Sequence, residues 1–185
     1  MRITEKEFQN LYKVHILGVS DIVGKFDCED VDLNDFLANE ALPYQEAKIA
    51  VTYVVENNQN GTPMAYFSLA NDKVSLTDFK SNSEFNRFRK RKFVHSKRLR
   101  SYPAVKLCRL GIDKHIRKMG MGSYLLQCIK TLFSLNARTG CRFITVDAYR
   151  EAVPFYEKNG FLPLTSQDTD LLTERMYYDL CSNYQ

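Results

Sequence analysis

The 185-residue chain has no C-x-x-C pair, three histidines, five prolines, eight glycines and no apolar run approaching the length of a membrane span. The five cysteines (Cys28, Cys108, Cys128, Cys141 and Cys181) are odd in number and lack metal-type or redox-type spacing, so they read as thiols of a reduced, cytoplasmic protein. Cys108, Cys128 and Cys141 read as small buried hydrophobes. No local signature supports a cysteine nucleophile with His15, His95 or His115 as its base, and three scattered histidines give no metal site. The opening residues, Met1-Arg-Ile-Thr-Glu-Lys-Glu7, lack the apolar core of a signal peptide. Without about 18 consecutive apolar residues there is no membrane helix. Few prolines and glycines beside 12% aromatics exclude a disordered or collagen-like chain, and there is no internal repeat.

What is present suits one packed domain over residues 1–185: 44% of the residues are hydrophobic. A chain this long buries roughly 70% of the surface its unfolded form exposes. The net charge of +4 conceals an uneven distribution. From Lys80 to Arg100 nine basic residues face Glu84 alone, a net of +8, which leaves −4 for the remainder. A mildly acidic body carries one basic stretch.

The apolar patterning predicts a first strand over Val14–Val19 and a helix over Asp30–Ala41, with carboxylates in its first turn where the helix dipole favours them. Ala50–Val55 and Pro63–Leu69 flank a polar, glycine-containing loop and read as a hairpin. In the basic stretch Phe85 and Phe88 stand three apart, as on one helical face, and Pro103 closes the segment. A long strand over Ala104–Ile112, a loop, a helix from Gly120 towards Asn136 and a strand over Arg142–Val146 follow. A short helix over Glu151–Lys158, capped by Asn159-Gly160, precedes two final strands at Phe161–Leu164 and Arg175–Leu180. The order predicts a mixed α/β (α+β) sheet flanked by helices, with a central strand–helix–strand crossover.

Chemistry concentrates in that crossover. Arg117-Lys-Met-Gly-Met-Gly122 directly precedes a helix, where glycines let the backbone approach an anion and the first amides of the helix hold it. Arg117 and Lys118 add charge, which points to a phosphate or pyrophosphate. The third glycine of G-x-G-x-x-G and the Lys-Ser/Thr of a P-loop are both absent, and a plain turn explains two glycines equally well.

Arg117, Gly120 and Gly122 together with Phe155-Tyr156-Glu-Lys-Asn-Gly-Phe161 resemble the GNAT superfamily of acyl-coenzyme A-dependent N-acetyltransferases: the first set matches the family's Arg/Gln-x-x-Gly-x-Gly/Ala motif, the second its F-Y-x-x-x-G-F element. Phe26–Leu37, Tyr66-Phe-Ser-Leu-Ala70 and Cys108-Arg-Leu-Gly-Ile-Asp113 further resemble the small GNAT toxins that acetylate aminoacyl-tRNA. The sequence departs from the family at Lys118, where a glycine is common, and in a longer, more basic stretch at about 73–103, read as an insertion.

The resemblance implies a central sheet whose splayed middle strands hold acetyl-CoA as co-substrate. Leu110, Gly111 and Ile112 would pair with the pantetheine arm, and Arg117, Lys118, Met119, Gly120, Met121, Gly122 and Ser123 would hold the phosphates. Gly111 within a strand suits a bulge or a close ligand approach, and a backbone amide there can polarise the thioester carbonyl. Tyr156 matches the family's general acid, a phenol protonated at neutral pH. Asp113 and Asp147, each following a strand, are alternatives for a base or for turn chemistry, and neither is nominated. For the basic stretch, and Arg89, Lys90, Arg91 and Lys92 in particular, three readings stand: a solvated face, an RNA surface acting through phosphate contact and base stacking, or a dock for an acidic protein such as an antitoxin. The expected acceptor is an amine, that of aminoacyl-tRNA or of a small molecule or protein. A non-catalytic acyl-CoA sensor or RNA-binding module is the reading from another class. A homodimer is a family expectation.

Overall fold

The structure, a computed structural model, describes residues 3–90, 92–93, 99–135, 139–165 and 171–182. In chain order they form helix α1 (Glu5–Leu11), strand β1 (Tyr12–Ile16), helix α2 (Val31–Asp35), a π-helical turn (Phe36–Glu40) and helix α3 (Ala41–Glu46). Strands β2 (Val51–Asn57) and β3 (Pro63–Ser75), helix α4 (Asn82–Lys90), strand β4 (Ser101–Ile112) and helix α5 (Met121–Leu135) follow. Strand β5 (Phe143–Tyr149), helix α6 (Val153–Lys158), and strands β6 (Leu162–Pro163) and β7 (Thr173–Asp179) complete the order.

Among the described residues the seven strands form one sheet in the order β1-β2-β3-β4-β5-β7-β6. The pairings β1–β2, β2–β3, β5–β7 and β6–β7 are antiparallel, whereas β4 and β5, joined through α5, pair in parallel. That parallel register covers Ala104–Lys106 against Phe143–Thr145, although β4 runs on to Ile112 and β5 to Tyr149. The mixed sheet with its central crossover is the fold expected from the patterning.

Several boundaries differ for local reasons. An unexpected α1 begins at Thr4, whose hydroxyl accepts the Glu7 N–H while the Glu7 carboxylate accepts the Thr4 N–H. Strand β1 ends at Ile16 rather than Val19, because Gly18 turns the chain with its N–H donated to Asp21. The helix capped by Asp30 runs past Ala41 to Glu46 through the π turn. Pro43 has no N–H and its ring crowds the carbonyl four residues back, so a wider turn just before it is the accommodation. Pro103 does not close the basic stretch; it lies inside β4, one residue before the parallel register begins. The expected helix end near Asn136 lies outside the described residues.

The chain divides into two compact units. The first, residues 1–70 and 107–129, has a core of Leu17, Phe26, Cys28, Phe36, Leu37, Ala41, Val54 and Tyr66. Tyr66 is fully buried and donates its phenol proton to the Leu33 carbonyl at 2.7 Å, so a polar tip in the core is satisfied and ties β3 to α2. The second unit, residues 71–106 and 130–185, is built on Val74, Phe79, Phe85, Tyr102, Ala104, Phe143, Leu164 and Tyr177, with Phe88 and Phe93 packed against them. The aromatics of the basic stretch are therefore core residues. All five cysteines are free thiols; Cys28 is the buried one, while Cys108, Cys128 and Cys141 are half-buried rather than buried.

Candidate active site

In the first unit, β4 leads through a short turn to the loop that opens α5. Lys118 and Gly120 both adopt the left-handed backbone, at φ 65° and 83°. Glycine takes that conformation without strain and a lysine does not, so the position where this sequence replaces a common glycine is the strained one. The Gly120 carbonyl receives the Tyr124 N–H at 3.0 Å. The amides of Met121, Gly122 and Ser123 thus precede the helical ladder, at the positive end of the helix dipole. Met121 is buried and anchors the helix start, while Arg117, Lys118 and Met119 are exposed. The Arg117 guanidinium is committed within the unit: it donates to Glu29 at 2.7 Å and to the Cys28 carbonyl.

The turn between β4 and this loop is pinned by carboxylates. Asp113, almost wholly buried, accepts the Asp27 N–H at 3.2 Å and the His115 N–H at 2.9 Å, and lies 2.7 Å from His115 Nδ1. Asp27 in turn receives Lys114 Nζ at 2.8 Å, the Glu29 N–H and the Asn34 amide, which hold its carboxyl far below the usual carboxylate range. Asp113 is spent on turn structure rather than open to a substrate proton.

Gly111, one of the three β4 residues read as a ligand strand, has a reason within the protein. A Cβ there would stand 2.5 Å from Tyr66 Cε1 and 3.0 Å from Phe26 Cζ. Packing of the Tyr66 ring, fixed by its hydrogen bond to Leu33, demands glycine independently of any ligand. Leu110 and Ile112 flank it, half-buried.

In the second unit, Tyr156 sits on α6, which opens with Pro154 in its first turn and closes at Asn159-Gly160, Gly160 in the left-handed region. The ring is buried between Phe155 and Phe161, edge to face at 5.1 and 5.4 Å. Burial pushes the phenol pKa up to about 12, because the phenolate would lose its hydration. Lys130 reaches the C-terminal end of α6, donating to the Asn159 carbonyl with its ammonium 4.1 Å from the Tyr178 ring centre. Asp147 is bonded by Lys106 at 2.5 Å and by Arg175 at 3.4 Å; Arg175 also donates to Asp72, which accepts the Thr145 hydroxyl. This ladder crosses β3, β4, β5 and β7, and it pairs Asp147 with two cations while leaving it exposed, unlike the buried Asp113.

The basic stretch divides in the same unit. Lys92 pairs with Asp179 at 3.1 Å and lies over the Tyr177 ring, and Arg89 lies over Phe85 and donates to the Leu99 carbonyl. Arg87 and Lys90 are exposed. Arg91, His95, Lys97 and Arg98 lie outside the described residues. Burial raises the thiol pKa values of Cys28, Cys128 and Cys141, the opposite of what a cysteine nucleophile needs. Among the described residues no group of three His, Cys, Asp or Glu side chains is arranged to hold a metal ion, and no helix is long and apolar enough to cross a membrane.

Residues 80–170 match the family model for the acetyltransferase (GNAT) domain. With the mixed sheet and its crossover, this match gives the chain a GNAT acetyltransferase domain, that of an acyltransferase whose co-substrate is acetyl-CoA. Solved structures with the same fold include AtaT complexed with acetyl-methionyl-tRNAfMet, at 22% identity and a TM-score of 0.74, covering 94% of this chain and 97% of that one. A tyrosine-to-phenylalanine mutant of KacT is 20% identical with a TM-score of 0.73, covering 95% and 98%. AtaTR bound with AcCoA is 23% identical with a TM-score of 0.72, covering 93% and 95%.

Proposed function

We propose that this acetyltransferase moves the acetyl group of acetyl-CoA to the α-amino group of an aminoacyl-tRNA in the cytosol, with Tyr156 as the general acid. The observation that carries the catalytic part is the state of Tyr156: a phenol at about 12 keeps its proton throughout the working range and has one to give to a leaving thiolate. The neutral amine attacks the thioester carbonyl carbon, the C–N bond forms and the C–S bond breaks. The sulfur takes the Tyr156 proton, and the ammonium proton passes to water and restores the phenol. Asp113 is buried in the turn and Asp147 is paired with Lys106 and Arg175, so neither is nominated as the base and the proton is written to water. An α-amine of an amino-acid ester is less basic than a lysine, and a neutral fraction is present near pH 7.

In the first unit, Met121, Gly122 and Ser123 offer amides to the cofactor phosphates across the Gly120 turn, and Arg117, Lys118 and Met119 form the rim. The β4 backbone at Leu110, Gly111 and Ile112 supplies the strand for the pantetheine arm, beyond the last residue registered with β5. The likeness to AtaT, solved with acetyl-methionyl-tRNAfMet, supports the RNA-borne acceptor. So do the exposed Arg87 and Lys90 of the basic stretch, which we take as the phosphate-contacting part of the surface read for tRNA; Arg89 and Lys92 are engaged within the unit. An antitoxin partner has the same support, from AtaT solved with the C-terminus of AtaR. In the test of catalysis, Tyr156→Phe lowers kcat by about 10²- to 10⁴-fold with acetyl-CoA affinity unchanged. Full turnover in that variant would remove Tyr156 from the role.

A further inference from the structure

We infer that Lys130 is a positioning residue for Tyr156, holding the turn that closes helix α6 and through it the phenol; the inference rests on the reading of Tyr156 as the general acid. Helix α6 is six residues long and has no side-chain cap at its start, too little to fix a reacting ring by its own ladder. Its end does the holding. The Tyr156 carbonyl accepts two backbone N–H groups, from Asn159 and from Phe161, each at 3.0 Å. Asn159 also turns its side-chain amide back to the Phe155 carbonyl at 2.8 Å, and the Phe161 ring meets the Tyr156 ring edge to face. Gly160, between them, takes the left-handed backbone so close to Tyr178 that a Cβ would stand 3.3 Å from that ring. Residues 159–161 therefore fix Tyr156 through both its carbonyl and its ring.

Lys130, on helix α5, touches the same two residues. Its ammonium donates to the Asn159 carbonyl and stands 5.5 Å from the centre of the Phe161 ring and 4.1 Å from that of Tyr178. Lys130, Asn159 and Tyr156 thus form one chain of hydrogen bonds, and Lys130, Phe161 and Tyr156 one chain of ring contacts. The lysine is buried, and burial pushes its pKa down; among the described residues no carboxylate offsets the cost of keeping its charge. A methionine would fill the same space with no charge to desolvate. What the ammonium adds is a charged donor at the carbonyl end of α6, aimed at the residue whose N–H holds Tyr156.

The experiment is a double-mutant cycle that measures kcat, KM and acetyl-CoA affinity for wild type, Lys130→Met, Tyr156→Phe and the double variant. A small displacement of the proton donor predicts a kcat lower by about ten- to a hundredfold in Lys130→Met, with KM for the acceptor and the affinity for acetyl-CoA unchanged. In the Tyr156→Phe background the same substitution lowers kcat no further, because the ring it positions no longer carries the proton. Lys130→Gln, neutral and too short to reach the Asn159 carbonyl, repeats the cycle if Lys130→Met does not fold. Full kcat in the folded variant, an equal loss in both backgrounds, or a matching loss of acetyl-CoA affinity makes Lys130 a packing residue and overturns the inference alone. Failure of both variants to fold overturns it too, since Lys130 then serves the unit and not the ring. Full turnover in Tyr156→Phe removes the general acid, and the wider reading falls with it.

Discussion

Tyr156 and Gly111 show how single residues divide between chemistry and packing. An ordinary phenol ionises near pH 10, but the ring between Phe155 and Phe161 holds its proton to about 12. The pH profile of kcat is therefore expected to show no descending limb as the pH passes 10. Half-loss near pH 10 would show an acid less buried than Tyr156. Gly111→Ala forces a Cβ to within 2.5 Å of a ring that Leu33 holds in place, and overpacking of this kind costs about 1–3 kcal/mol. Denaturant titration checks the destabilisation. The Phe-Tyr-x-x-x-Gly-Phe spacing made Tyr156 legible in the sequence, but the reason for Gly111 was not legible: Tyr66 lies 45 positions away and meets it only across adjacent strands. The hidden partners of Arg109 and Arg117 belong to the same kind. Asp32, Phe36 and Glu29 leave no spacing signal because their approach to these arginines is tertiary.

At the scale of elements, helix α4 turns a run of charge into a two-faced object. Its phenylalanines build the core of the second unit, while Arg87 and Lys90 face outward. Lys92, just beyond the helix, is drawn back by Asp179 and Tyr177. Neutralising Arg87 and Lys90 should weaken tRNA binding and lower its salt slope by about one for each phosphate left without its cation. Lys92→Ala should instead lower the melting temperature, because a half-buried ion pair loses one member. Equal effects of the two changes on tRNA affinity would contradict this division. The charge count foresaw the stretch, and the Phe85–Phe88 spacing foresaw a helical face, but neither revealed which cations turn inward. Helix α1 was legible in principle, since Thr4-Glu-Lys-Glu7 is a capping box, but its apolar content is too thin to mark a helix on periodicity.

For the whole molecule, the tyrosines set an alkaline limit. Burial raises Tyr124 and Tyr156 to about 12 and Tyr66 further still, above an unfolded value of about 10. As the pH climbs past 10 the unfolded chain releases these protons first, so stability intact below 10 is lost progressively above it. Chemical denaturation at pH 9 and pH 11 should show the drop, and equal stability would contradict the burial of these phenols. The succession of elements along the chain and the crossover were legible because hydrophobic patterning is local, whereas the place of β7 between β5 and β6 and the early end of the β4–β5 register were not, since both depend on strands brought together from distant parts of the chain. The most direct measurement of the central claim is transfer of labelled acetyl from acetyl-CoA to a pool of charged tRNA, run beside a panel of small-molecule and protein amines, with wild type and Tyr156→Phe. The account predicts label on the aminoacyl group with wild type and a loss of about 10²-fold or more with the variant. Label on the panel amines alone, or on tRNA equally with both proteins, would contradict it.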